Sequence, residues 1–449
     1  MFNLRYTFRL IGVFLLRFKK LIIFGVFAGI ILSVFLKYLF PIFFGYSQET
    51  IGVTGRFRLD NLPDFILNQV SAGLTKIEPT GMVEPSIASS WETPDKGKTW
   101  TFHLKDRLFW QDGKAITSQN INYNFSDVAV EKPNLLTVVF KLKNPFSPFP
   151  SVVAKPVFKK GFLGNGDWKI IKITASGNNV VKLVLVNLKN HERKTYKFYP
   201  TEERAKLAFK LGEVNKLEDL LTVSPFDQWQ NVHVLTSSQY QRYAAIFFNT
   251  GKGGALSEKS FRQALNYSID KDTFMGKDGA KTERALGPIS PTSWAYNPQV
   301  KPYNFDLTRA KELIKTLPKE LTNNLTVNLT TTPLLLSTAD KIAKNWETAG
   351  VKTNIKVSSF PNSDDYDAFL VIVDLPRDPD QYSLWHSSQE AANIANYKSP
   401  RIDKLLEDGR TEMGLEARKK IYLDFQRFLL EDSPAIFLYH PVSFNVSRN

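Results

Sequence analysis

The residues that could do chemistry in this chain are few and scattered. Its five histidines are His103, His191, His233, His386 and His440. No two stand at i, i+4, and no His-Glu-x-x-His exists to hold a metal from one helix face. Cysteine is absent, which removes disulfides, thiolate metal sites and cysteine nucleophiles together. There is neither a Gly-x-Ser-x-Gly elbow nor a P-loop. Gly161-Phe-Leu-Gly-Asn-Gly166 has the glycine content of a nucleotide loop. It lacks the G-x-G-x-x-G order, however, and runs through Asp167-Trp168 into a strand, so it reads as a structural turn. The acidic pairs Asp364-Asp365 and Asp378/Asp380 could form a carboxylate dyad only if the fold made them converge. Asn324-Leu-Thr and Asn328-Leu-Thr match the glycosylation triplet but overlap an alternating strand. The expectation is a chain with no catalytic residue, no metal ligands and no cofactor.

The elements that would position a binding site alternate strand and helix. Trp100 to Leu104 alternates bulky and polar residues, the period-2 mark of a half-buried strand, after the turn Pro94-Asp95-Lys96-Gly97. Phe109-Trp110-Gln111-Asp112-Gly113 is a second aromatic strand end entering a turn that Asp112 fixes, and Thr117 or Ser118 can cap a helix over Ser118–Val128. Strands are expected at Ile51–Phe57, Thr137–Leu142, Trp168–Thr174, Val180–Leu188, Tyr243–Asn249, Leu325–Thr330, Lys352–Val357, Ala368–Val373 and Ala435–His440. Helices are expected at Phe65–Leu74, Thr201–Leu211, Ser260–Ser268, Thr338–Ala349, Arg401–Glu412 and Leu415–Glu431. Continuous apolar strands among helices mean α/β architecture.

Several segments resemble, in order, those of the family 5 solute-binding proteins, the peptide- and nickel-binding receptors of ABC importers. Ile87 to Phe125 resembles the family's paired aromatic strands and Trp-Asp-Gly turn. Phe162-Leu-Gly-Asn-Gly-Asp-Trp-Lys169, Leu207-Ala-Phe-Lys-Leu-Gly-Glu-Val-Asn215, Phe247-Phe-Asn-Thr250 and Phe261-Arg-Gln-Ala-Leu-Asn-Tyr-Ser-Ile-Asp270 are similar to later family segments. Asp378 to His386, Ile402 to Leu406 and Pro434 to Tyr439 complete the set.

The resemblance implies a two-lobed, periplasmic-binding-protein-like fold of type II. Residues 51–245 would form the first lobe, with 82–158 inserted in it. Residues 246–433 would form the second lobe, and 434–449, including the strand Ala435–His440, would return to the first. It also implies a ligand strand beside Leu370, Val371, Ile372 and Val373, bound by β-augmentation, with Asp374 taking the ligand's ammonium group or capping the strand. The family's Gly-Trp is Leu370-Val371 here, and Arg377 lengthens the following loop. Trp385 would be either an aromatic wall of the cleft or a core anchor. Asn249 is placed at the lobe junction, and Ala72 matches a position where relatives carry a ligand-contacting glutamate. A nickel or haem ligand, also known in the family, gains little from so few histidines. Relatives run on past the segment matching Pro434 to Tyr439; a fragment, or a first lobe without its terminal elements, both fit.

Length and composition agree with a large folded receptor: 449 residues, 43% apolar and 13% aromatic. Leu21 to Leu36 carries no charge, and Leu21 to Phe44 would make roughly 36 Å of helix against a hydrocarbon core of about 30 Å. Arg5, Arg9, Arg17, Lys19 and Lys20 precede it, so the N-terminus is expected in the cytoplasm and the large domain outside. A cleaved signal peptide is the rival; no small-x-small site follows and the run exceeds a signal core. Residues 1–50 are thus expected to be an N-terminal transmembrane anchor. The net charge of +14 puts +5 in the first fifty residues and +9 over the exterior domain, and no basic-aromatic repeat points to nucleic acid. The expected function is capture of oligopeptides and delivery to an ABC permease and ATPase complex, by a monomer. The alternative is a surface scaffold or sensor that keeps the fold without transport.

Overall fold

The computed structural model describes residues 4–35, 48–275, 282–322, 324–359, 361–362 and 365–448. Two large sheets organise the exterior part. The first has seven strands in the order Val232–Ser238, Val442–Arg448, Lys216–Leu220, Gln48–Thr54, Arg193–Tyr199, Asn179–Asn187, Trp168–Ser176. The second has six, in the order Glu283–Arg284, Ala435–His440, Arg242–Phe248, Ala368–Asp374, Thr326–Thr331, Lys352–Val357. A separate four-stranded antiparallel sheet spans Ala88–Lys141.

The chain passes between the two large sheets twice, at 238–242 and at 440–442. The passages are bonded to each other through Gln239 N–H to the Pro441 carbonyl at 2.9 Å. Ala435–His440, expected to return to the first lobe, instead pairs with Arg242–Phe248 in the second sheet, and Val442–Arg448 makes the return. Pro441 separates the two, because proline cannot donate to a continuing ladder. At this junction buried His440 gives its Nδ1–H to the Arg242 carbonyl at 2.7 Å, and burial favours its neutral form.

Apolar alternation explains the second sheet. Tyr243, Ala245 and Phe247 enter one core cluster while Ala244, Ile246 and Phe248 enter another. A strand covered on both faces must be apolar throughout, which is how this segment reads. The inserted sheet shows the other pattern. Trp100, Phe102 and Leu104 are buried and alternate with half-buried Thr99, Thr101 and His103.

The helix expected over Ser118–Val128 does not form; only a 3-10 turn, Ser118–Asn120, is present. Asn120 Oδ1 accepts from Trp110 Nε1 and from the Thr117 N–H, both at 3.0 Å, and its Nδ2 donates to the Ala115 carbonyl. Such bonds compete with helical ones. Beyond it the chain runs extended, so that Tyr123 and Phe125 stack at 5.4 Å against the inserted core.

At the N-terminus a helix covers Leu4–Val34. Among the described residues no helix is long and apolar enough to cross a membrane, which corrects the expected span. The described apolar part, Leu21–Phe35, is about 22 Å of helix, short of about 30 Å; residues 36–47 lie outside the described residues. Leu21, Phe24 and Phe27 are nonetheless largely exposed.

Beneath the second sheet lies a buried cation. Lys271 Nζ donates to the carbonyls of Asn266 at 3.0 Å and Tyr303 at 2.9 Å. Burial, reinforced by Arg284, pushes its pKa from 10.5 down to about 7. Between those values the unfolded chain holds the extra proton, so stability rises with pH across this window and is lost as pH falls toward 7. Urea titrations at neutral and at mildly alkaline pH should show a rise of up to about 1.4 kcal/mol per pH unit. Lys271→Met should flatten that slope; an unchanged slope would assign it to other groups.

Candidate functional site

The strand Ala368–Asp374 carries most of the expected ligand contacts. Its phase is fixed at both ends. The Asp367 carbonyl accepts from Asn249 N–H at 2.9 Å, and Leu375 N–H donates to the Gln241 carbonyl at 2.7 Å. Peptide groups alternate sides along a strand, so those of Phe369, Val371 and Val373 face the Arg242–Phe248 strand. Those of Ala368, Leu370, Ile372 and Asp374 face the other way. On that side Thr326–Thr331 runs alongside only as far as Leu370. Among the described residues, Ile372 and Asp374 therefore hold their peptide groups along an unpaired strand edge.

This geometry sorts the expected residues. Leu370 is fully buried and its carbonyl accepts from Thr331 Oγ1 at 3.3 Å, so it belongs to the core rather than the open edge. Val371 and Val373 pack against the second-lobe core. Ile372 is half-buried. Asp374 has 81% of its side chain exposed, and its Oδ1 lies 2.6 Å from Arg242 Nε. Arg242 reaches also to Asp219 of the first sheet, Nη1 to Oδ2 at 2.7 Å. One guanidinium thus joins a carboxylate from each large sheet where the chain crosses between them.

Three other expected residues lie away from this edge. Trp385 is fully buried, 5.6 Å from Phe247 and 6.4 Å from Phe437 ring to ring, and is a core anchor rather than a cleft wall. Asn249 sits at the end of its strand remote from the crossings, since Phe248 pairs with Ala368 while Arg242 pairs with Asp374. Seven residues at about 3.3 Å separate it from Arg242. Its side chain is buried against the Tyr366 carbonyl and Asn396. Ala72 is half-buried beside the inserted core, its N–H given to Asn165 Oδ1 at 2.8 Å and its carbonyl accepting from Val157 N–H.

The acidic pair Asp378/Asp380 is not a dyad, because each carboxylate has its own arginine. Arg418 meets Asp378 at 2.6 and 3.0 Å, both side chains about nine-tenths buried. Arg410 meets Asp380 at 2.9 and 3.1 Å and stacks 3.7 Å over the Tyr382 ring. In the other acidic pair, Asp364 lies outside the described residues. Asp112 fixes its turn as expected, and Lys159 at 2.7 Å holds its carboxyl below the ordinary range. Among the described residues no group of three or more His, Cys, Asp or Glu is placed to hold a metal ion.

Among the described residues, segments before and after the 238–242 crossing also touch away from it, which sequence reasoning missed. Trp294 N–H donates to the Thr80 carbonyl at 2.9 Å and Thr292 Oγ1 to the Pro79 carbonyl at 3.1 Å. Ser147 N–H donates to the Arg410 carbonyl at 2.6 Å. These contacts involve residues more than 200 positions apart, which local patterns cannot reveal.

Two large sheets linked by paired crossings, with an open strand edge beside them, match the fold of solved periplasmic-binding-type proteins. A solved structure of NikZ from Campylobacter jejuni, in complex with Ni(L-His), superposes with a TM-score of 0.72 at 23% identity, covering 90% of this chain and 94% of that one. The oligopeptide-binding protein AppA from Bacillus subtilis, in complex with a nonapeptide, gives 0.69 at 21% identity over 90% and 95%. The probable D,D-dipeptide-binding periplasmic protein DdpA of Escherichia coli K12 is 24% identical over 80% of this chain and 79% of its own length. The sequence model of the bacterial extracellular solute-binding proteins, family 5, matches residues 82–134 and 122–393. The chain belongs to that family: it is a substrate-binding protein of ABC transporters and not an enzyme.

Proposed function

We propose that this chain captures oligopeptides between its lobes and delivers them to an ABC permease. The observation that carries the reading is the unpaired edge at Ile372 and Asp374. A peptide laid there gains main-chain bonds independent of its side chains. Relatives named for oligopeptides and dipeptides favour this class over the nickel- and haem-binding ones. The expected boundary at 245/246 falls inside the strand Arg242–Phe248, so the parts that would move about the crossings are 48–238 with 442–448, and 242–440, with ligand favouring the closed arrangement because it then touches both. The exposed Leu21–Phe35 helix would attach the monomer to the outer face of the plasma membrane.

The second reading, a scaffold or sensor without transport, draws on one feature: Asp374 already has a cation in Arg242. An incoming ammonium must compete with that guanidinium. Arg242→Gln should therefore tighten binding of peptides with a free amino terminus about tenfold relative to their N-acetylated forms, the scale of one charged hydrogen bond. Asp374→Asn should abolish that distinction. Calorimetric titration of the folded chain with mixed synthetic peptides tests both readings. Heat of binding is expected, and its absence would favour the scaffold.

A further inference from the structure

The exterior charge is not spread over the domain. Between residues 155 and 199 there are ten Lys/Arg and two Asp/Glu, so +8 of the exterior +9 lies in this one segment. Register then places most of it on one face. Lys169 stands opposite Val186, which stands opposite Arg193, which stands opposite Gln48. Lys172 lies opposite Val184 and Thr195, and Thr174 lies opposite Lys182 and Lys197. Residues directly opposite one another share a face of the sheet, so Lys169, Lys172, Lys182, Arg193 and Lys197 all project from the same side. The other side is core, filled by Leu183, Leu185, Tyr196 and Phe198. Among the described residues only Lys197 of the five has an acidic neighbour, Glu213 at 4.0 Å.

We propose that this face is a docking surface for anionic lipid headgroups. The occupant follows from position as well as charge. Gln48, where the exterior domain begins, lies in the same cross-strand row as Lys169 and Arg193. Only residues 36–47 separate it from the apolar Leu21–Phe35 helix, a reach of at most about 40 Å. Strands about 4.8 Å apart bring the four unpaired cations within roughly 15 Å of one another. Their phosphate-facing charge would set the orientation of the first lobe on the bilayer, leaving the second lobe to move. The proposal adds to the membrane-attachment reading above and does not depend on peptide binding.

The test is co-sedimentation of the full chain with phosphatidylcholine vesicles and with vesicles of about 30% phosphatidylglycerol, at low salt and again at about 0.5 M salt, where screening is short-ranged. The wild-type chain should prefer the anionic vesicles by about thirtyfold or more at low salt, and high salt should close the gap. Combined Lys169→Gln, Lys172→Gln, Lys182→Gln and Arg193→Gln should lose most of that preference, keeping only the share that comes from the cations before Leu21. The matching set of three Lys→Arg changes should keep the preference. Equal binding of wild type to both vesicles, or a preference left undiminished by the glutamine changes, would overturn the docking surface. Binding to neutral vesicles reports the apolar helix separately, so failure of the attachment reading is seen as its loss alone.

Discussion

Replacing Arg418 by methionine should cost about 3–5 kcal/mol of folding stability, the usual penalty for stranding one member of a buried ion pair. The guanidinium holds both Asp378 oxygens at 2.6 and 3.0 Å and gives Nε–H to the Gly409 carbonyl at 2.7 Å. It also lies 5.4 Å from the Trp294 ring. Burial alone would lower its pKa; the charge of Asp378 more than offsets this and moves it above the ordinary value. Methionine fills the volume but leaves a buried carboxylate unpaired. Urea unfolding of Arg418→Met should show a midpoint far below wild type, whereas Arg418→Met combined with Asp378→Leu should recover most of the loss. A single variant as stable as wild type would mean that Asp378 finds water.

The second large effect concerns binding. Ile372→Pro should weaken peptide affinity about a hundredfold while leaving the chain folded. The Ile372 N–H faces the open edge, where proline's missing donor breaks no internal ladder bond. Its ring occupies the space where a ligand strand must approach, and each lost main-chain bond is worth about 1 kcal/mol before the clash is added. Val371→Pro is the contrasting variant: its N–H faces the Arg242–Phe248 strand, so it should unfold the sheet instead. Equal peptide affinity in wild type and Ile372→Pro would remove the ligand from this edge.

Local chemistry made much of this fold legible. The Trp100–Leu104 alternation and the turn before it need only neighbouring residues, and both are present. The same holds for Thr201, whose side chain caps its helix by accepting from the Arg204 N–H. What failed depends on distant partners. Ala435–His440 was readable as a strand, but its sheet is chosen by pairing with residues 190 positions earlier. The Ser118–Val128 helix lost to Asn120, whose bond to Trp110 depends on a turn already folded.

At the site, the strand Ala368–Asp374 was readable while its side-by-side phase was not. Leu370 and Ile372 look equivalent in sequence and differ only because Thr326–Thr331 ends between them. Arg242 carried a weak signal, a charge directly before an apolar strand, yet its two carboxylates come from Asp219 and Asp374, on different sheets. Trp385 was ambiguous because an indole beside polar residues suits a wall or a core equally. The basic face was visible as a local excess of lysine. That its members share one side required the register.

Amide hydrogen exchange at Ile372 and Asp374, measured with and without a mixture of synthetic oligopeptides, goes straight to whether a ligand strand occupies this edge. Both amides should exchange quickly in the free protein and at least about tenfold more slowly with peptide, while Val371 and Val373 stay protected throughout. Unchanged exchange at Ile372 and Asp374 under conditions where calorimetry shows peptide bound would contradict the account.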